Sequence, residues 1–331
     1  MSMQRPTILD VARVAGTSKS VVSRVITGNG AVGDKTRTRV EEAMQTLGYR
    51  ANPAGRSLVS GRTGAVGVLL RNTQSGFYAN FFTQLQREAS SSELSLLGAT
   101  GNMVDGSERP ALESLLDHGV DALVIGSGRL DPATIASVAA RVPSVVVSRP
   151  AGQARAAAVF DDPAAHADLT LDALWHHGHR SIGLLVDPSY SAVLRVDALR
   201  RRANELGMRM ATIESGYDLE PGMTAARRWL AGPRGETALL TMAYDAACGV
   251  MWELQAAGLA VPGDVSVVAA DSYRPANPFL PAVTGSQRDE TEFAGTVWRE
   301  VVARLQAPDA QPTEHRVPVH WVEGATLAAA R

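Results

Sequence analysis

Ten basic side chains crowd the first 62 residues: Arg5, Arg13, Lys19, Arg24, Lys35, Arg37, Arg39, Arg50, Arg56 and Arg62. Only Asp10, Asp34, Glu41 and Glu42 oppose them, so this segment carries +6. The remainder holds 22 basic and 30 acidic residues and carries -8, leaving a net charge of -2 for the chain. Both lysines, Lys19 and Lys35, lie in the basic head. Such a head suits phosphates, because Lys and Arg displace the counterions condensed on nucleic acid. On charge alone, a solvated basic surface without a partner is equally open. His176, His177 and His179 form the densest run of metal-capable side chains. Gly178 interrupts them and no Cys or carboxylate pattern accompanies them, so neither a metal nor a cofactor is expected. No nucleophile-base pairing stands out, and Gly98 to Gly101 lacks the spacing of a phosphate loop. An enzyme is therefore not expected. The single cysteine, Cys248, reads as a small buried hydrophobe and cannot close an internal disulfide. That fits a reducing cytoplasm.

These side chains need a scaffold. The chain has 331 residues, 45% hydrophobic and 20% charged. That composition excludes a disordered chain, and the length suggests two domains or a little more. No apolar stretch reaches the ~18 residues that cross a bilayer, and Met1 to Asp10 lacks the apolar core of a signal peptide, so no membrane partner is expected. The head predicts three short helices. Thr7 caps the first with Asp10 three residues on, Val11, Ala12, Val14 and Ala15 give its apolar face, and Gly16 stops it. Ser18 caps the second, with Val21, Val22, Val25 and Ile26 as its stripe, and Gly28-Asn29-Gly30 breaks it. Asp34 caps the third, with Val40, Ala43, Met44 and Leu47 at helical spacing and Gly48 at its end. Helix, four-residue turn, helix is a helix-turn-helix pattern. Tyr49 to Thr63 reads as a polar linker with one short helix at Pro53 to Val59.

After Thr63 the texture alternates. Strands are predicted at Ala65–Leu70, Leu94–Ala99, Ala122–Ile125, Ser144–Val147, Ala157–Phe160, Ile182–Val186, Thr237–Met242, Val265–Ala270 and Val317–Val322. Helices are predicted at Tyr78–Ser91, Glu108–His118, Pro132–Arg141, Pro163–His177, Ala192–Leu206, Glu220–Leu230, Asp245–Ala257 and Asp289–Leu305. Strand-helix alternation makes this an α/β body of parallel sheets covered by helices, and its length favours two lobes.

The head motif from Thr7-Ile8-Leu9-Asp10-Val11-Ala12 to Ser18-Lys19-Ser20-Val21-Val22-Ser23-Arg24-Val25 resembles the LacI/GalR family of bacterial transcription regulators. The likeness continues through Lys35-Thr36-Arg37-Thr38-Arg39-Val40, Leu47-Gly48-Tyr49 and Ala54-Gly55-Arg56-Ser57-Leu58. In the body it rests on Gly178-His179-Arg180-Ser181-Ile182-Gly183 and on Val261-Pro262-Gly263-Asp264-Val265-Ser266-Val267-Val268, followed by Asp271. The resemblance implies a helix-turn-helix domain over residues 1–50 and a hinge helix with linker over 51–63. It implies an effector-binding and dimerisation body like periplasmic binding proteins over 64–331. The first doubly wound lobe would take about 64–160 and 288–316, the second about 161–287 and 317–331, joined by three crossovers.

The resemblance also implies roles. Lys19 and Ser20, projecting from the second helix, would read base edges. Thr7, Ser23 and Arg24 would hold phosphates; Thr7 and Ser18 are caps only, or caps and contacts both. Leu58 would be an apolar wedge in the minor groove, with Asn52, Gly55 and Arg56 beside it in the hinge; an ordinary linker leucine is the alternative. Gly55 stands where Ala is usual and costs helix stability, and Val21 stands where Thr is common. In the body, Phe77, Tyr78, Arg195, Asp245 and Asp271 match effector-binding positions. Tyr244 and Ser148 replace residues common there, Asn and Asp. Against these roles stand a core place for Phe77 and Tyr78, a surface Arg195–Asp197 pair, and an N-cap role for Asp245. The implied protein is an effector-responsive regulator, a repressor that binds a palindromic DNA operator as a homodimer and senses a small molecule, a sugar by preference. A solute- or sugar-binding protein without a DNA role is the alternative, and a sugar-acting enzyme on the same fold is a third reading.

Overall fold

The computed structural model describes residues 6–27, 31–49, 61–101, 107–126, 128–189, 192–273 and 281–331. The hinge positions Asn52, Gly55, Arg56 and Leu58, and the helix expected at Pro53 to Val59, lie outside the described residues. Spatial contacts divide the chain into two units, Met1–Gly64 and Ala65–Arg331.

The first unit contains α1 (Ile8–Val14), α2 (Lys19–Thr27) and α3 (Asp34–Leu47). Thr7 and Asp10 form a reciprocal capping box: the Thr7 backbone N–H donates to Asp10 Oδ2 at 2.9 Å, and the Asp10 N–H donates back to the Thr7 hydroxyl. The Thr7 hydroxyl, donating to Asp10 Oδ2 at 2.7 Å, the Thr7 N–H and Arg13 together pull the Asp10 carboxyl down to about 2. Gly16, at φ +60°, makes the left-handed turn into α2, and Gly48, also at +60°, ends α3. Val11, Ala12, Ala15, Val22, Val25, Val40 and Ala43 form its core. Val14 departs from the expected apolar face and is exposed. So does the third cap: Gly33 occupies the N-cap without a side-chain bond, and Asp34 sits in the first turn, where a carboxylate still meets the positive end of the helix dipole.

The second unit is built on two sheets. The first contains β1 (Ala65–Leu70), β2 (Ser95–Thr100), β3 (Ala122–Gly126), β4 (Ser144–Val147), β5 (Ala157–Asp161) and β11 (Glu314–Val317), in the order β2-β1-β3-β4-β5-β11, all parallel. The second contains β6 (Ser181–Val186), β7 (Arg209–Glu214), β8 (Ala238–Thr241), β9 (Ser266–Ala269), β10 (Thr284–Arg288) and β12 (Val319–Val322), in the order β7-β6-β8-β9-β10-β12. Only the β10–β12 pairing in it is antiparallel. The first sheet is flanked by α4 (Gly76–Ala89), α5 (Glu108–Asp117), α6 (Pro132–Ala139) and α11 (Glu290–Gln306). The second is flanked by α7 (Pro163–His176), α8 (Val193–Glu205), α9 (Leu219–Leu230) and α10 (Tyr244–Ala256). The apolar strands are buried on both faces, as covered parallel strands must be.

The chain passes between the sheets after β5, after β10 and between β11 and β12. The last passage corrects the single strand expected at Val317–Val322. Pro318 has no N–H to continue a ladder, so β11 ends on one sheet and β12 begins on the other. Two strands carry no continuous apolar run and differ from the expected set. β7 is an edge strand with an exposed-leaning pattern, and β10 reads Thr-Gly-Ser-Gln-Arg. Within β10, a Cβ on Gly285 would run into the Ala269 carbonyl oxygen, so only glycine lets this strand lie so close to β9.

The histidine run ends a helix. α7 stops at His176 and Gly178 turns at φ +85°. His179 is buried, with Nδ1 at 2.7 Å from the Thr237 hydroxyl and Nε2 at 3.0 Å from the Ala328 carbonyl. Among the described residues, no helix is long and apolar enough to cross a membrane.

Candidate functional site

In doubly wound sheets the strand order reverses beside the first strand, and the crevice beyond the carboxyl ends there receives ligands. Both sheets reverse in this way, at β1/β3 and at β6/β8. The residues that follow these strands face one shared cavity, open at its mouth, in the place where two-lobed folds take small molecules. All the effector positions singled out from the sequence line it: Phe77, Tyr78, Ser148, Arg195, Tyr244, Asp245 and Asp271. Arg71, Ser75, Tyr217, Asp218, Tyr273, Arg288 and Glu290 line it too and were missed.

Its floor is a buried ion cluster where two interlobe passages meet. Asp161 closes β5, Arg288 closes β10, and Glu290 opens α11. Arg195 Nη2 lies 2.5 Å from Asp161 Oδ2, and Arg288 Nη1 lies 2.6 Å from Oδ1. Asp271 takes the other arms, at 3.5 Å from Arg195 and 3.3 Å from Arg288. His166 Nε2 stands 2.6 Å from Asp161, and its Nδ1 stands 2.7 Å from the Ser286 hydroxyl. Burial alone would raise the Asp161 carboxyl, but Arg195, Arg288 and His166 together hold it well below the usual range. Burial likewise works against the Arg195 charge, and Asp161 with Asp271 outweighs it. The surface Arg195–Asp197 alternative is therefore overturned: the Arg195 side chain is 8% exposed and Asp197 points to solvent. Asp161, His166 and Ser286 are ordered like a hydrolase triad. However, Ser286 is not among the residues lining the cavity, and its hydroxyl is committed to the Ala270 carbonyl at 3.1 Å, so it is not placed as a nucleophile.

Phe77 holds this cluster. The Arg288 guanidinium lies 4.4 Å from the Phe77 ring centre and 4.6 Å from that of Phe293, in the corner the two tilted rings make. Phe77 thus joins both the core and the cavity wall, as does Tyr78. Tyr244 offers its ring, since its hydroxyl donates to the Pro281 carbonyl at 2.9 Å. Ser148 sits at φ +61°, strained for a residue with a Cβ, and its hydroxyl is buried without a hydrogen bond. The N-cap alternative for Asp245 is also overturned. Ala243 is the cap, and Asp245 instead accepts from the Ser75 hydroxyl at 2.7 Å and the Tyr273 hydroxyl at 3.1 Å.

The mouth is bridged by side chains from both lobes. Arg71, directly after β1, lies 3.2 Å from Asp218 and 3.5 Å from Asp187, and Asn72 donates to Asp218 at 3.1 Å. A charged residue immediately after an apolar strand was the available signal for Arg71. Arg288 gave no such signal, because β10 itself was not legible.

Glu290 is the least satisfied of these groups. Its carboxyl makes a 3.4 Å ion contact with Arg288 Nε, yet neither buried oxygen has a hydrogen bond. Burial pushes it up to about 7, with Arg288 opposing and Asp271 adding to the rise. A carboxyl raised above its usual 4.5 takes up protons on folding, so stability is lost as pH climbs from there through 7. The Glu290→Gln variant should lack that loss. Between pH 5 and pH 8, its melting temperature should gain on wild type by about 2–4 °C. A difference that stays constant with pH, read by thermal denaturation, contradicts the assignment.

In the head, Ser18, Lys19, Ser20 and Arg24 are exposed, Ser23 is half-buried, and all but Ser18 lie on α2. Ser18 caps α2, accepting from the Val21 N–H at 3.3 Å, and its hydroxyl lies 2.8 Å from that of Ser20. Thr7 is exposed at the start of α1.

Residues 7–52 match the model for "Bacterial regulatory proteins, lacI family", and residues 171–327 match that for the "Periplasmic binding protein-like domain". The HTH-type transcriptional regulator PtxS of Pseudomonas putida is 30% identical over 273 residues, covering 81% of this chain and 80% of the relative. The chain belongs to the LacI family. A second family member, the HTH-type transcriptional regulator AscG of Escherichia coli, is 29% identical over 324 residues, covering 92% of this chain and 94% of the relative. The fold matches the lac repressor dimer bound to operator and an anti-inducer, with a TM-score of 0.86 at 24% identity, covering 98% of this chain and 100% of that one. These LacI-family relatives are transcription regulators, not enzymes.

Proposed function

We propose that this LacI-family protein is an effector-responsive transcriptional repressor that works in the cytoplasm. Residues 1–50 read DNA, residues 51–63 form the hinge, and residues 64–331 sense a small polyhydroxylated molecule in the interlobe cavity. One observation carries the reading: the cavity floor is the ion cluster at the interlobe passages, with Asp161 on β5 and Arg288 on β10. A ligand that engages Arg195, Arg288 or Asp271 pulls on the segments about which the lobes pivot. An arginine with adjacent carboxylates suits hydroxyl groups, which both donate and accept. Two structural neighbours hold carbohydrates, cellobiose in CelR and ribose in a regulator from Enterococcus faecium.

Lys19 and Ser20 are the base-reading pair of α2; Thr7, Ser18, Ser23 and Arg24 meet phosphates. The protein acts as a homodimer, because a two-fold protein matches a palindromic site. Its partner face is the apolar groove between α9 and α10, where Leu219 is 51% and Trp252 64% exposed beside Met223 and Met251. Selection of full-length protein on random duplexes should recover a palindrome whose binding weakens steeply with salt. Recovery of no sequence-specific site would favour the solute-binding alternative.

A further inference from the structure

We propose that the effector carries a protonated amino group, seated against Glu290, beside its hydroxyls. The inference rests on the effector-cavity reading above and deepens it. Each arginine lining the cavity is already committed to carboxylates. Arg71 faces Asp187 and Asp218; Arg195 faces Asp161 and Asp271; Arg288 faces Asp161, Asp271 and Glu290. Counting Arg129, which lies 3.9 Å from Asp187, four arginines meet six carboxylates in this network of lining residues and their ion partners once Asp245 is included. Asp245 is met by neutral donors, the Ser75 and Tyr273 hydroxyls and the Gly76 backbone N–H, and among the described residues forms no ion pair with an arginine. Even with Glu290 about half protonated near pH 7, carboxylates outnumber arginines in this network, and no lining arginine is spare for an anionic ligand.

The open hydrogen-bonding positions point the same way. Both Glu290 oxygens and Asp218 Oδ2 are buried acceptors without a hydrogen bond, against Arg71 Nε and Arg288 Nε as open donors and the Ser148 hydroxyl as either. A neutral hydroxyl brings one donor and adds acceptors, and leaves the charge excess in a closing, low-dielectric cleft. An ammonium brings three donors, no acceptor and the missing charge. The paired Arg288 Nε–H and Glu290 carboxylate, 3.4 Å apart, then bracket an amine and a neighbouring hydroxyl. A uronate or phosphate group would meet only committed cations and surplus carboxylates.

The test is a matched panel on the full-length protein at pH 7, read by thermal shift and titration calorimetry. The probes are D-glucosamine, D-galactosamine and D-mannosamine, the corresponding hexoses, and the corresponding hexuronates. At least one amine should raise the melting temperature and bind about tenfold or more tightly than its hexose, with hexuronates inert, as expected for a charge-assisted bond. Glu290→Gln should cost that amine about tenfold or more and the hexose under about threefold. A hexose or hexuronate that binds as well as its amine overturns the amine assignment and leaves the effector cavity standing. A panel in which no member binds overturns both. An amine preference unchanged in folded Glu290→Gln overturns the seat on Glu290.

Discussion

Arg195→Ala should lower stability by about 3 kcal/mol and abolish the effector-induced thermal shift, while operator binding survives. Breaking a buried ion pair costs about 3–5 kcal/mol, because the partner keeps its charge away from water. Asp161 is that partner, and it retains Arg288 at 2.6 Å and His166, which places the cost at the lower end. The ligand effect vanishes for a separate reason: Arg195 lines the cavity while tying Asp161 at the first passage to Asp271 after β9. The head keeps its own core of Val11, Val22, Val25 and Val40, so its grip on DNA does not depend on this arginine. Arg195→Lys separates the two effects. A lysine restores the charge and much of the stability, but as a point donor it cannot span Asp161 and Asp271. Thermal denaturation with and without effector, together with fluorescence anisotropy on operator, checks all three statements. A ligand shift that persists in folded Arg195→Ala sinks the pocket assignment.

Leu58→Ala should weaken operator binding by about 30-fold or more and leave effector affinity unchanged. An apolar wedge opens a base step and bends the duplex, and the bend is offset by wider contact. Alanine is too short to hold the step open, and truncating a central buried anchor typically costs about 2 kcal/mol or more. Effector binding depends on Arg195, Asp245, Asp271 and Glu290, all of them in the other unit. Gel-shift titration supplies the operator affinity and calorimetry the effector affinity. An unchanged operator affinity removes the wedge.

Much of this molecule is legible from its residues because its signals are local. The capping box of Thr7 and Asp10, the glycine stops at Gly16 and Gly48, and the Val/Ile/Leu runs of β1, β3, β4 and β6 each carry their own punctuation. What the sequence hides is non-local. β10 is held in its sheet by β9 and β12 on either side and by the fit of Gly285, so its five residues show no strand pattern. With β10 hidden, Arg288 and Glu290 have no visible position, and the acidic excess of the cavity goes uncounted. Asp161 is hidden differently. It sits at the end of an ordinary strand, and only the folded passage brings Arg195, Arg288 and His166 onto it. The effector positions that were legible became so through family likeness. The structure places them around one cavity but changes their work: Phe77 braces Arg288, Tyr244 spends its hydroxyl on Pro281, and Asp245 accepts from the Ser75 hydroxyl of the opposite lobe.

The most direct measurement is operator affinity with and without effector. It uses fluorescence anisotropy of the palindrome recovered by selection, full-length protein, and the strongest ligand from the panel. Coupling between two sites of one protein is typically about 1–3 kcal/mol, so saturating ligand should change the dissociation constant by about 5–150-fold. Arg195→Ala should bind the same operator with no change. A wild-type affinity that stays the same at saturating ligand would show that the cavity and the DNA-reading head are uncoupled, and would contradict an effector-responsive regulator.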